Sequence, residues 1–295
     1  MMTDMLNIES LIDLFDDNDR VVAAAVDKKI KEGGSEMLDT LLEIASNTKD
    51  VSRQNLIKER FLHYSAESSL EQIKSYAEQC ATDEASLTEG AYLVSTLMSP
   101  GYKRADFYDQ LIPLIGEVMS ETSQEKTMVE NMRIFNHIFY YRYLFKAADP
   151  FTFTESSLLL LNVIKERKGN AIALSLLYFA VAQAGGLPIY PMCFKGGFVP
   201  VCVENGKILF YLNVFHEGEI FLENNLSEIF KAQGLNVSPD EFEIKKDATI
   251  LSIYLELLYF FYDQQGNKYK TDLLTRAITN LGSQRYMVID DEDAE

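Results

Sequence analysis

From Ile8 to about Phe145 the apolar positions recur at helical spacing, beginning with Ile8, Leu11, Ile12 and Phe15 at i, i+3, i+4 and i+7. Val21, Val22, Ala25, Val26 and Ile30 form the next stripe. Gly33-Gly34 is expected to stop it as a C-cap before Ser35 opens a third helix through Met37, Leu38, Leu41, Leu42 and Ala45. Ser69 before Leu70, Ile73 and Ala77, and Thr82 before Leu87 to Leu97, predict two more helix starts. A helix over Asp106 to Met119 contains Pro113, which should bend or split it. The segment Met128 to Phe145 is crowded with Phe135, Phe139, Tyr140, Tyr141, Tyr143 and Phe145 around His137, and reads as the seam between two halves.

The pattern changes after Asp149-Pro150. A helix from about Glu155 to Arg167 leads through Lys168-Gly169-Asn170 into a strongly apolar helix that Gly185-Gly186-Leu187-Pro188 terminates. Strands follow at Met192 to Phe194, Phe198 to Val203 and Ile208 to Phe215. The last two are joined by Glu204-Asn205-Gly206-Lys207, where Asn-Gly between apolar runs signals a tight hairpin, because both residues tolerate positive φ. Ile220-Phe221-Leu222 extends the sheet. Helices return at Leu226 to Lys231, from Asp240 to Phe242 onward, Ile250 to Tyr262 and Leu273 to Leu281, ahead of a disordered acidic tail, Asp290-Asp291-Glu292-Asp293.

The fold expected is α+β: an all-helical N-terminal part, a core of one central helix packed on a small antiparallel sheet, and a helical C-terminal part. The expected boundaries are 1–148, 149–232, 233–283 and a tail at 284–295. The stretch from Leu11 to Gly34 resembles one unit of a HEAT-type helical repeat, without a clean second copy about 40 residues on. Asp16, Asp17 and Asp19 lack the spacing and the closing Glu of a calcium loop and read as a helix-terminus turn.

Charge narrows the function classes. With 45 Asp and Glu against 27 Lys and Arg the formal net charge is −18, a surface that repels nucleic acid and anionic lipid. No apolar run reaches about 18 residues and the start MMTDMLNIES has no signal-peptide pattern, so a cytoplasmic protein is expected. Cys80, Cys193 and Cys202 form neither a disulfide framework nor a zinc motif. Metal-ligand spacings and Gly-rich phosphate loops are missing, so neither a metal nor a cofactor is expected. The run Lys165-Glu166-Arg167-Lys168 reads as the basic last turn of its helix, with an anion site as the minor alternative.

Four short strings, Arg167-Lys168-Gly169-Asn170, Gly186-Leu187-Pro188, Lys195-Gly196-Gly197-Phe198 and Asn213-Val214-Phe215, stand in one order. That order resembles the SirB-type branch of the transglutaminase-like superfamily, whose counterparts are Arg-x-Gly-Asn, Gly-Leu-Pro, Pro-Gly-His-Phe and Asp-x-Phe. The resemblance implies a transglutaminase-like core at 149–232. Active superfamily members carry a Cys-His-Asp triad, with the thiol at the first turn of the central helix, where the helix dipole and the histidine lower its pKa. On that alignment the nucleophile position is Ala171, the histidine position Gly197 and the aspartate position Asn213. The SirB-type branch usually lacks the cysteine but keeps the histidine and aspartate, so this chain departs further than its relatives. Losing nucleophile and base together leaves no proton-transfer route.

The function expected is therefore that of a catalytically inactive binding or scaffold protein for a protein or peptide, with a cleft formed by Asn170, Ala171, Gly196, Gly197, Phe198, Asn213 and Phe215, which Gly197 enlarges. The alternative is a thiol hydrolase or acyl transferase with relocated residues, Cys193 and His216. That pair is weighed against the ordinary fate of a strand cysteine, a small buried hydrophobe. A third possibility is a structural homo-oligomer assembled through residues 135–145.

Overall fold

The computed structural model describes residues 8–82, 85–149, 153–194, 197–226, 242–245 and 248–282. Two compact units emerge, one running through Gln72 and including Thr96–Lys103, the other formed by Ile73–Ser95 and everything described from Arg104 on. The domain boundary expected at 148/149 thus falls inside the second unit.

In the first unit a short helix at 8–12 (α1) is followed by α2 (Arg20–Asn47) and by α3 (Val51–Cys80) as far as Gln72. Ile8, Leu11, Ile12 and Phe15 join Val26, Ile30, Leu41, Ile44, Ala45, Ile57 and Tyr64 in one buried cluster, as the helical spacing required. The aspartate-rich turn is a capping structure, in which Asp17 Oδ1 accepts from Asp19 N and Asp19 Oδ1 from Val21 N, each at 2.8 Å. Gly34 at φ 57°, ψ −145° breaks α2 where the Gly-Gly pair predicts a stop. The start expected at Ser69 does not occur. Helix α3 runs through it, because Ser65 and Ser69 are buried within a stretch rich in good helix formers and neither residue caps anything.

In the second unit α4 (Leu87–Met98) contributes its residues up to Ser95, and α5 spans Arg104–Glu121. Pro113 does not split α5. It lies on the exposed face, where water can satisfy the carbonyl one turn back. Helix α6 (Met128–Asn136) starts from a Thr127–Glu130 capping box and continues into a π-helical turn, His137–Arg142. Next come β1 (Lys146–Ala147), α7 (Glu155–Leu158), α8 (Leu160–Glu166), β2 (Lys168–Gly169) and α9 (Ala171–Ala184).

The single helix expected over Glu155 to Arg167 is broken at Leu159, at φ −75°, ψ 121°. The buried Tyr254 hydroxyl fills the break, donating to Leu158 O at 3.0 Å and accepting from Leu160 N at 3.2 Å. Residues 173 to 182 of α9 are all buried, which explains a helix with no polar stripe.

The sheet is antiparallel in the order β6-β5-β4-β3-β7, with β3 at Ile189–Phe194, β4 at Gly197–Glu204, β5 at Lys207–Asn213, β6 at Glu219–Phe221 and β7 at Glu243–Ile244. Asn205 and Gly206 take φ 51° and 75°, the double positive turn that their pairing predicts. Glu243–Ile244 is a strand where a helix from Asp240 was expected, pairing Met192 with Ile244. The helix expected at Leu226 to Lys231 and the acidic tail lie largely outside the described residues. The last described helices are Thr249–Gln264 and Lys268–Asn280. No helix among the described residues is long and apolar enough to cross a membrane.

Glu155 ties the start of α7 to these last two helices, accepting from Tyr262 Oη at 2.7 Å and Lys270 Nζ at 3.0 Å. The Tyr262 hydrogen bond and then the Lys270 ammonium hold its carboxyl below the usual glutamate range. The folded pKa being the lower one, the contact stabilises above the unfolded value of about 4.3 and is lost as pH falls from there through the folded value. Glu155→Gln should therefore flatten the fall of the urea midpoint on acidification below about pH 4.3. An unchanged slope would show that other carboxylates control it.

Candidate functional site

The head of α9 is built from the Arg167–Asn170 string. Arg167 sits in the left-handed region at φ 57°, ψ 26°, which turns the chain out of α8. Lys168 and Gly169 then pair in parallel with Lys146 and Ala147, through Lys146 N to Arg167 O at 2.9 Å and Ala148 N to Gly169 O at 2.7 Å. A Cβ on Gly169 would stand 2.7 Å from Val163, so only glycine lets β2 lie this close to α8. Asn170 is the N-cap, its Oδ1 accepting from Ile172 N at 2.8 Å and Ala173 N at 3.4 Å, while its own N–H reaches Ser157 O at 2.8 Å. Ala171 is the first helical residue and is exposed, at the positive end of the helix dipole.

Helix α9 packs on one face of the sheet, where the rings of Phe179 and Phe198 meet at 5.8 Å. Alternation puts Val199, Val201 and Val203 on the other face, in a cluster with Met192, Phe194 and Tyr211. Gly197 pairs with Phe194, and a Cβ there would meet the Phe194 ring at 3.2 Å. A side chain at Gly197 therefore points to the face away from α9, and Gly197 does not widen the space beside Ala171. Gly196 lies outside the described residues. Phe198 is half-buried on the α9 side.

Asn213 ends β5 and caps the 3-10 turn Val214–His216, with Oδ1 accepting from Phe215 N and His216 N, both at 3.2 Å. That turn packs against α9 and β1. Its anchor is a polar network that sequence reasoning missed. Tyr140 Oη donates to Val214 O at 2.8 Å, Tyr178 Oη donates to Asn136 Oδ1 at 2.6 Å, and Asn136 Nδ2 donates to Gly218 O at 2.8 Å. Burial raises the Tyr178 and Tyr140 hydroxyls well above the ordinary tyrosine range, so both remain donors. One signal was available: a lone tyrosine inside the otherwise apolar α9 needs a buried partner. So Asn170 and Ala171 lie at the head of α9 and Asn213 and Phe215 on the turn that packs against α9 and β1, whereas Gly197 faces the other side of the sheet.

Cys193 and Cys202 are buried, at 2% and 0% exposure. Burial, with Glu204 adding, pushes the Cys202 thiol up to about 12. His216 is exposed on the 3-10 turn, its ring edge-on to Phe215. His137 stacks on Tyr141 at 5.7 Å and His63 lies against Tyr64.

A family model described as the transglutaminase-like superfamily matches residues 105–256, more than half of the 295-residue chain. The chain belongs to the transglutaminase-like superfamily. The match begins in α5 and ends in the helix Thr249–Gln264, so it takes in the aromatic segment, the head of α9 and the whole sheet. The UPF0162 protein YchA of Escherichia coli strain K12 is 28% identical over 158 residues, covering 53% of this chain and 57% of YchA. YchA of Escherichia coli O157:H7 matches at the same 28% identity over 158 residues. The chain spans little more than half the length of these curated relatives. No solved structure matches.

Proposed function

We propose that this chain is a catalytically vacated member of the transglutaminase-like superfamily, of SirB type, that binds a protein or peptide at the head of α9. The observation that carries this reading is Ala171, exposed at the first position of the buried central helix, where the superfamily's nucleophile would stand. The polar groups at the two other positions considered have structural work already: Asn170 caps α9 and Asn213 caps the 3-10 turn. A relocated thiol enzyme is the weaker reading, because Cys193 is buried in the sheet while His216 is exposed on the turn.

Ala171→Cys and Ala171→Trp test this directly. The new thiol of Ala171→Cys, at a helix N-terminus, should react with iodoacetamide roughly a hundredfold faster than Cys193 or Cys202 at neutral pH. No amidase activity should accompany it, since the positions of the superfamily's histidine and aspartate are Gly197 and Asn213, neither of which can act as a general base. Iodoacetamide-sensitive amidase or glutamine-crosslinking activity in the wild-type chain would overturn the proposal. For binding, a displayed random-peptide library selected on the immobilised chain should enrich. Ala171→Trp should abolish the enrichment while shifting stability by less than about 0.5 kcal/mol, as expected of an exposed site.

A further inference from the structure

The chain carries a formal charge of −18, yet both strands of the short parallel ladder leading into α9 begin with an exposed lysine. Lys146 and Lys168 are Cα partners across β1 and β2, and both are exposed. Like charges placed opposite one another in a ladder destabilise it, so this pairing is unfavourable for the isolated fold. Among the described residues neither lysine forms an ion pair.

Arg167, immediately before Lys168, adds a charge that is partly withdrawn from water. Its guanidinium lies over Phe145 at 4.6 Å and Tyr143 at 5.9 Å from the ring centroids, and its buried Nη1 has no hydrogen-bond partner among the described residues. Burial lowers its pKa, and the Tyr143 phenol, itself hydrogen-bonded to Glu117, acts the other way. A buried donor of this kind costs about 1–3 kcal/mol when unpaired. One exposed apolar side chain, Leu144 at 64% exposure, lies two residues before Lys146. Leu144 is held in the left-handed region at φ 59°, a conformation that a branched side chain adopts only when its surroundings impose it.

We infer that the ligand met at the head of α9 is an acidic peptide segment, its carboxylates received by Lys146, Lys168 and Arg167 and an apolar residue seated beside Leu144. The inference rests on the binding reading above and names the partner's chemistry. It accounts for two features that the fold alone leaves unfavourable: the opposed lysines and the exposed leucine. It also localises attraction for an anion on a molecule whose overall field repels one, so the contact must be short-range and weakened by salt.

Fluorescence anisotropy of the full chain decides the matter, with a labelled peptide of glutamates and one leucine and its glutamine and lysine counterparts. The glutamate peptide should bind at least about tenfold more tightly than the glutamine one, and lose about tenfold when sodium chloride rises from about 0.05 to about 0.5 M. Lys146→Glu/Lys168→Glu should weaken the glutamate peptide about tenfold and bring in the lysine peptide. Both substitutions lie on exposed side chains, so the fold is retained, as circular dichroism will verify. Arg167→Lys keeps the charge but removes the planar fork, and should give an intermediate loss.

Equal binding of the glutamate and glutamine peptides, or indifference to the double reversal, overturns the acidic assignment and leaves the binding reading to the peptide-library result. Displacement of the peptide by inorganic phosphate at matched ionic strength would mean a site for small oxyanions, which also overturns it.

Discussion

Asn136→Ala is expected to destabilise the larger unit by about 4 kcal/mol, because two buried polar groups lose their partner at once. The Asn136 amide is the centre of the network, accepting from Tyr178 Oη at 2.6 Å and donating from Nδ2 to Gly218 O at 2.8 Å. Tyr178 has no exposed surface, so its hydroxyl cannot turn to water when the amide goes. Gly218, at φ 72°, brings its backbone so close that any Cβ would fall inside the amide, and alanine at 136 would leave that carbonyl facing a void.

The measurement is guanidinium denaturation of the variant, of Tyr178→Phe and of the double variant. Tyr178→Phe should lose about 2 kcal/mol, and the double should lose clearly less than the sum of the two, since the shared bond is counted in both. A loss under about 1 kcal/mol for Asn136→Ala would mean that the turn beside α9 is held by packing alone. Functionally the substitution should also loosen the Asn213 turn, whose Val214 carbonyl is held from the same helical segment by Tyr140.

Much of the fold was legible because local chemistry and tertiary structure agree. The Asn205-Gly206 pair, the Gly185-Gly186-Leu187-Pro188 stop and the 3.6-residue spacing of Ile8, Leu11, Ile12 and Phe15 each demand one conformation, and each adopts it. Where reading failed, a long-range contact decided. The break at Leu159 answers to Tyr254, almost a hundred residues later in the chain, and nothing in Leu158-Leu159-Leu160 announces it. Ser69 has the residue type of an N-cap but stays inside α3, since propensity over the whole helix outweighs one candidate cap.

The candidate site shows the same division. Asn170 as cap and Ala171 as first helical residue follow from the string Gly169-Asn170-Ala171, a local signal. The direction of Gly197 does not, since a strand's facing is set by its pairing with Phe194 and a shift of one residue reverses it. The run Lys165-Glu166-Arg167-Lys168 looked like an ordinary basic helix end. Only the parallel partner strand, which places Lys146 opposite Lys168, makes it unusual.

Phe139→Ala should be as damaging as Asn136→Ala, at about 4 kcal/mol, and for a different reason. Phe139 has no exposed surface and sits among four rings: stacked on Phe145 at 4.5 Å, edge-on to Tyr140 at 5.0 Å and Tyr178 at 5.3 Å, and tilted to Phe135 at 5.8 Å. Truncation removes the ring and leaves a cavity that neighbours on α6, α9 and the π-helical turn cannot all collapse to fill. Phe139→Leu keeps most of the volume and should lose only about 1–2 kcal/mol.

The ratio of the two losses is the informative quantity, because equal losses would indicate that ring geometry and not volume holds the cluster. A second consequence separates this site from a generic core position. Phe145 is the platform beneath the Arg167 guanidinium, and Phe139 is the ring stacked on Phe145. Under conditions where Phe139→Leu remains fully folded, its affinity for the glutamate peptide should fall while that of an equally destabilised variant in the first unit, such as Ile44→Val, should not.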